Sequence, residues 1–309
     1  MINQLDYRHG ETFSGVFRIH RPEIKTARNN SKYISCSLLD RSGEIPAYGW
    51  LDRYTGDTGF TEMEKIRAQG RLRWFAGQWV ADLEQGLRHS EKLENPLELI
   101  PDKACPSQTG FAKLEDLLEG LENEHLKQTL VSIINNDRLV LPFISLPASR
   151  QNHHAYPGGL LEHSLECAEF VGHFNQQGND IRELGIVAAL LHDIGKVRTI
   201  ERSGDGTAIS GMLKHDLLTL ELLAEPLSAL DREWRDGGTA LRYLLCWKLQ
   251  ARYGTKPLMV VSELIQAADR FSSGIDNEKA LFMEMPAWRQ FVSDGNGRRA
   301  WRPKAVHSK

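Results

Sequence analysis

The stretch Ala189–Val197, ALLHDIGKV, sets a histidine and an aspartate side by side at the end of a strongly apolar segment. Burying a carboxylate beside an imidazole there costs on the order of several kcal/mol unless something positive compensates, and a divalent cation is one such compensator. A surface ion pair at a helix C-terminus is the ordinary alternative. The dipeptide alone does not choose between them, but its neighbours along the chain do. His163 precedes it in GGLLEHSLE (Gly158–Glu166), and Asp269 follows in ELIQAADRFSSG (Glu263–Gly274). Both segments have apolar residues at the three-and-four spacing of amphipathic helices.

This order of His, His-Asp, then Asp on separate helices resembles the HD superfamily of metal-dependent phosphohydrolases. The resemblance implies His163, His192, Asp193 and Asp269 as metal ligands. It also implies a catalytic role for His192, Asp193 and Lys196, the last matching the family's lysine in HDIGK. Nitrogen and carboxylate ligands suit Mn²⁺, the expected ion, and also Mg²⁺, Fe²⁺, Ni²⁺ or Zn²⁺. A cation so held would polarise a phosphate and activate water. Lys196 could then neutralise a phosphate oxygen, the plainer reading being a solvated lysine at a helix end. His215, in GMLKHDLL, is the sole histidine between the His-Asp pair and Asp269 and is a candidate for one extra ligand. The segment LLCWKLQARYGTKP, where relatives often carry a histidine pair, has none, which speaks against a standard binuclear site.

Upstream of His163 the chain reads NHHAYPGG (Asn152–Gly159). Gly158 and Gly159 let the backbone turn tightly into the helix. His153 and His154 are expected to contact substrate phosphate or a second metal, the alternative being surface imidazoles. His125 and His173, isolated on helical segments, read as structural or surface residues.

Up to about Gln85 the pattern alternates with period two between turn signals, as strands do. KYISCSLLD and EIPAYGW form one hairpin, RAQGRLRWF and WVADLE another with Gly77 in its turn, and TFSGVFRIH opens the set. That predicts five strands in meander order, with a helix-like TEMEKIRA before the fourth. The set resembles an OB-fold, a small barrel that often binds oligonucleotides. His20, Arg21, Lys25, Arg28 and Lys32 fall in the predicted first loop. Tyr33, Tyr48, Trp50, Trp74 and Trp79 fall on strands. Basic loops beside aromatic platforms grip single strands, so Arg21, Lys25, Arg28, Lys32, Tyr33, Trp50 and Trp74 are the candidate contacts. Aromatics in small barrels are more often core, and at least half are expected to be buried.

The chain thus reads as a multidomain β plus all-α protein. An OB-fold-like domain spans 1–88, a linker 89–110, an HD-type helical domain 111–295, and a basic tail 296–309. Its 309 residues carry a formal charge of −3, and the four cysteines form no CxxC pair, which argues against a zinc knuckle or a disulfide framework. No apolar run approaches the roughly 18–20 residues that span a bilayer, and the start of the chain lacks a signal-peptide pattern, so the expected location is cytoplasmic.

The OB-like half followed by HHAYPGGLLEHSLE resembles the YhaM family of 3′-to-5′ exoribonucleases along nearly the whole chain. The histidine-rich opening is also similar to the HD domain of mobility relaxases. The resemblance implies a metal-dependent exonuclease that converts single-stranded RNA or DNA to mononucleotides, with no membrane partner and homo-oligomerisation left open. Three alternatives stand: a nucleotide or cyclic-nucleotide phosphohydrolase, a non-catalytic oligonucleotide-binding protein, and a relaxase-like DNA endonuclease.

Overall fold

In the computed structural model, residues 2, 5–150, 153–174, 178–246, 259–293 and 299–303 are described. The chain divides into two units, Met1–Ala104 and Cys105–Lys309. The first unit contains β1 (Thr12–Thr26), β2 (Lys32–Asp40), β3 (Gly43–Trp50), a two-residue β4 (Thr55–Gly56), β5 (Lys65–Phe75) and β6 (Gln78–Arg88). Alternation sorts their side chains: Ile34, Cys36 and Leu38 are buried on one face of β2, while Tyr33, Ser35 and Ser37 point outward, half-exposed.

The strand order is β3-β2-β1-β5-β6, closed by a parallel pairing of β3 with β6. This is a five-stranded barrel of OB type. It differs from the expected meander because β5 pairs with β1 rather than β3. Closure brings together Ala47 and Ala81, both fully buried, at the parallel junction. The closed barrel leaves no long edge to template association. The inner faces pack Phe13, Phe17, Ile19, Ile45, Ile66 and Leu72 into its core.

Local expectations need correction here. TEMEKIRA is not helical: Met63 adopts φ 62°, and the chain enters β5 at Lys65, whose alternation buries Ile66, Ala68, Gly70 and Leu72. The β5–β6 turn does use Gly77, at φ 85° behind Ala76 at φ 50°. The segment after β6 is not a bare linker. It carries 3₁₀ turns at Pro96–Leu99 and Asp102–Ala104, and Leu97, Leu99 and Ile100 are buried. Arg18, itself fully buried, donates from Nε to the Leu99 carbonyl at 2.7 Å and from Nη1 to the Met63 carbonyl at 3.0 Å. A buried guanidinium needs such partners, so this arginine fastens the segment to the barrel.

The second unit contains α1 (Gln108–Gly120), α2 (Glu124–Ile134), α3 (Asp137–Ser145), α4 (Gly159–Gly172), α5 (Asn179–Leu191), α6 (His215–Leu222), α7 (Ala224–Glu233), α8 (Arg235–Leu245) and α9 (Val261–Phe282). Ser107, Asn123 and Asn136 cap the first three helices with side-chain oxygens. The Asn123 cap splits what reads as one long helix from Phe111 to Ile134. Helix α4 packs against α1, α3, α5 and α9. Gly185 of α5 permits the close approach, since a Cβ there would lie 2.6 Å from Val261 and 2.9 Å from Val171. The unit is not wholly helical. After Phe282, where further helix is expected, β7 (Phe291–Ser293) and β8 (Arg299–Trp301) pair antiparallel, so Arg299–Trp301 of the expected basic tail lie in a strand, while 296–298 and 304–309 lie outside the described residues. Among the described residues no helix is long and apolar enough to cross a membrane.

Candidate functional site

Helix α4 starts at a backbone crossing that only glycine tolerates. Gly158 has φ 83°, and a Cβ on Gly159 would sit 2.2 Å from the His154 carbonyl oxygen. One turn on, His163 is fully buried. Helix α5 ends at Leu191, His192 is its C-cap, and Asp193 follows at φ −107°, ψ 7° before a 3₁₀ turn, Ile194–Arg198. The turn carries the carboxylate back toward α4, while α9 supplies Asp269.

His163 Nε2 lies 3.4 Å from Asp193 Oδ2 and 3.4 Å from Asp269 Oδ1, and His192 Nε2 lies 3.5 Å and 3.9 Å from the same two atoms. Two ligands each about 2.1 Å from a common ion sit roughly 3.0 Å apart at right angles and roughly 3.4 Å apart at the tetrahedral angle. The four donors therefore match the spacing of a coordination shell. Buried His192 Nε2 has no hydrogen-bond partner, and Asp193 Oδ1 and His215 Nε2, both buried, face only each other at 3.0 Å. Orphaned polar groups of this kind are rare in folded proteins unless something else satisfies them.

The imidazoles are aimed. His192 Nδ1 donates to the Ala189 carbonyl at 2.7 Å, which leaves Nε2 of the neutral ring with its lone pair toward the cluster. His163 Nδ1 lies 3.0 Å from Ser272 Oγ, whose hydroxyl donates to Glu166 Oε2 at 2.5 Å, so the serine accepts from the ring. Burial raises the Glu166 pKa, but His154 and Ser272 outweigh it and hold the carboxyl below its usual range.

Electrostatics mark a place built for positive charge. Burial would lower the His163 pKa, yet Asp193 and Asp269 push it up to about 11. Asp193, despite complete burial, is held well below the usual carboxylate range by His192, Lys196, His163 and His215. His215, on α6, approaches Asp193 Oδ1 at 3.0 Å and Asp216 Oδ1 at 3.2 Å; against its own desolvation these carboxylates raise it to about 9. Asp193, His215 and Asp216 form a second group with metal-compatible spacing, and Cys167 with His163 and His192 a third. Gly195 holds α6 in place: a Cβ there would be 2.0 Å from the His215 carbonyl oxygen, and its amide donates to Thr219 Oγ1 at 3.0 Å.

Other expected site residues fall differently. Lys196 is neither solvated nor free: its side chain is 12 % exposed and Nζ lies 2.6 Å from Asp193 Oδ2. His153 stacks near His163, ring centroids 5.4 Å apart, and desolvation with Lys196 lowers its pKa to about 4. His154 is not a surface donor to phosphate. It is 2 % exposed, with Nδ1 2.9 Å from the Tyr156 hydroxyl and Nε2 3.2 Å from Ser272 Oγ. It supports the site from behind.

On the barrel, β1 continues past a bulge to Thr26, so Arg21 and Lys25 are strand residues and not loop residues; Arg28 alone sits in the turn, and Lys32 starts β2. Register sets Lys25 opposite Tyr33 and Tyr33 opposite Trp50, a row across three strands with the two rings 4.9 Å apart. Lys25 also pairs with Glu23 at 3.1 Å. Trp74 is 54 % exposed at the β5–β6 turn, edge-on to Trp79. Contrary to the core expectation, none of Tyr33, Tyr48, Trp50, Trp74 and Trp79 is buried. His125 packs near Trp234, and His173 is an exposed helix cap.

Sequence reading missed Glu166 and Ser272. Each lies three residues beyond a candidate ligand, His163 and Asp269 respectively, and so shares its helix face.

Comparison with known proteins agrees with this geometry. The HD domain family model matches residues 160–274, and the TraI_2 model, described as a helicase, matches residues 118–178. The 3′-5′ exoribonuclease YhaM of Oceanobacillus iheyensis is 24 % identical over 277 residues, 87 % of this chain and 86 % of its own. The protein of that name from Listeria welshimeri is 22 % identical over 88 % of each chain, and that from Bacillus velezensis 22 % over 81 % of each. A solved replication protein A heterotrimer bound to ssDNA aligns with 26 % of this chain and 59 % of its own at 20 % identity, with a TM-score of 0.21 that bears no weight. The chain carries an HD domain behind an OB-like barrel, and its likeness to the YhaM proteins runs through both.

Proposed function

We propose that the protein is a metal-dependent 3′-to-5′ exonuclease that shortens single-stranded nucleic acid to mononucleotides. The observation that carries the chemistry is the cluster of buried His163, His192 and Asp193 with half-buried Asp269, spaced as ligands, with His192 Nε2 left without a hydrogen bond inside it. Direction follows the named activity of the YhaM relatives, and mononucleotides are the product that stepwise removal from an end would give.

His163, His192, Asp193 and Asp269 would hold the ion, with His215 in reach of Asp193 as a further donor. A divalent cation, Mn²⁺ in this reading and otherwise Mg²⁺, Fe²⁺, Ni²⁺ or Zn²⁺, supplies Lewis acidity and nucleophile activation when bound. The protein's own groups then divide the remaining work. The Glu166–Ser272 pair fixes the His163 ring, and the Ala189 carbonyl fixes His192. Lys196, released from sole charge of Asp193, is placed to neutralise a phosphate oxygen. His153, neutral at pH 7, offers a hydrogen bond at the same mouth. On the barrel, Tyr33 and Trp50 offer stacking surfaces, with Arg21, Lys25, Arg28 and Lys32 along their edge for phosphates.

The test is a single strand labelled at one end, incubated with Mn²⁺. A 5′ label should give a descending ladder, and a 3′ label should leave at once as a mononucleotide. Cleavage of a circular single strand would instead identify an endonuclease, and turnover confined to mononucleotides would identify a nucleotide phosphohydrolase. Parallel RNA and DNA strands decide the sugar preference.

A further inference from the structure

The hairpin β7–β8 inverts the usual order of a surface sheet, in which large apolar side chains face inward. Phe291 and Trp301 lie directly opposite each other and point outward, 51 % and 53 % exposed, while the small pair Val292 and Ala300 faces inward. Arg299 shares the outer face, its guanidinium 5.3 Å from the Phe291 ring centre. Trp288, just ahead, is 69 % exposed. Aromatic surface of this extent on a two-stranded sheet stabilises nothing in the isolated fold and marks a contact.

The platform is fixed, and through a shared cavity it adjoins the segment that leads into α4. Arg302 donates to the carbonyls of Met285 (3.1 Å), Pro286 (2.7 Å) and Arg289 (3.1 Å) and lies over the Phe282 ring, tying the hairpin to the end of α9. The same arginine lines a cavity of about 830 Å³ with Lys279, Phe282 and Met283, whose far wall is Ala155 and Tyr156, next to His153 and His154. Asp276 and Glu278 also line it, and the Asp276 carboxylate accepts from the His154 amide.

Charge identifies the occupant. Residues 286–309 contain six Lys and Arg against one Asp, whereas the preceding 285 contain 32 against 40. A second copy docked through the same face would bring like charge to like, while a polyanion with stackable rings complements both the arginines and the aromatics. We infer that the outer face of the β7–β8 hairpin, with Trp288, is a second binding surface for single-stranded nucleic acid, carried by the catalytic unit itself. This rests on the nuclease reading above and adds a contact that the barrel does not provide.

The test uses the full chain in EDTA, with a fluorescein-labelled 12-mer of oligo-U or oligo-dT and anisotropy as the readout. The double variant Trp288→Ala/Trp301→Ala should raise Kd about tenfold or more, and Trp301→Phe should keep most of the affinity. Arg299→Ala should reduce the slope of log K against log salt by about one. Thermal melting and helical circular dichroism establish that each variant is folded. An unchanged Kd in the folded double variant overturns the inference. So does a wild-type dimer, seen by sedimentation, that the double variant converts to monomer without loss of affinity, because the patch would then belong to a second copy. Failure of the wild type to hydrolyse any strand with Mn²⁺, while these binding results hold, would overturn the nuclease reading and leave this surface standing.

Discussion

The two units handle polarity in opposite ways. Apart from buried Arg18 and Asp40, the barrel keeps its charges toward solvent: Arg71–Glu84, Arg88–Glu64 and Lys103–Glu44 are partly exposed pairs, and its rings stand half in solvent. The helical unit instead gathers buried imidazole and carboxylate in one cluster, where His163, His192 and Asp193 are at most 3 % exposed. Exposed pairs contribute little each and substitute for one another. Buried charges depend on every partner, since removing one strands the rest. A surface of the first kind suits a partner of variable sequence, and a centre of the second kind suits one reaction.

The sharpest way to break this contrast is Asp193→Ala. It removes the carboxylate shared by His163, His192, Lys196 and His215, and should abolish bound metal, measured by elemental analysis, together with hydrolysis, while the helical signal persists. Full activity in a metal-free variant would end the metal-centre reading. One step outward, Glu166→Gln or Ser272→Ala should leave the ligands in place but loosen His163, weakening metal affinity by about 10–100-fold in a competition titration. An unchanged affinity would mean that the ring is held by packing alone. On the barrel, Tyr33→Ala/Trp50→Ala should weaken binding of a long single strand by about tenfold with little change in hydrolysis of a dinucleotide. Equal losses on both substrates would make the barrel an element of stability.

The smallest effect is in the pH dependence of the metal-free protein. His163 and His215 titrate near 11 and 9 when folded, above the ordinary imidazole value of about 6.5. Their stabilising contribution is therefore complete below about pH 6.5 and is lost as pH rises through 9 and then 11. Melting of the helical unit in EDTA should fall from pH 6.5 to pH 10. Bound metal should flatten the trend, because it takes the place of those protons. A flat profile without metal would show that the carboxylates are already neutralised by Lys196.

The juxtaposition of His163, His192, Asp193 and Asp269 was legible because its chemistry is rare: an acid and an imidazole at the end of an apolar helix have few harmless explanations. Glu166 and Ser272 were not, since either residue on a helix is commonplace and only the packing of α4 on α9 brings them to His163. The strands were legible from alternation, but alternation carries no information on which distant strand pairs with which, so the β1–β5 pairing was missed. The strand at 291–293 was read as part of the helical domain because Phe282, Met285, Trp288 and Phe291 keep three-and-four spacing. Pro286 ends the helix, and the spacing past it is coincidence.

Gly195 has a practical corollary. The turn that bears the His-Asp pair touches α6 backbone to backbone, with no side chain between them to yield. Residues 192–219 are consequently a single cassette for anyone transplanting this centre into another scaffold. A graft of the HDIGK stretch alone would arrive without its seat, and a library that randomised position 195 would return mostly glycine.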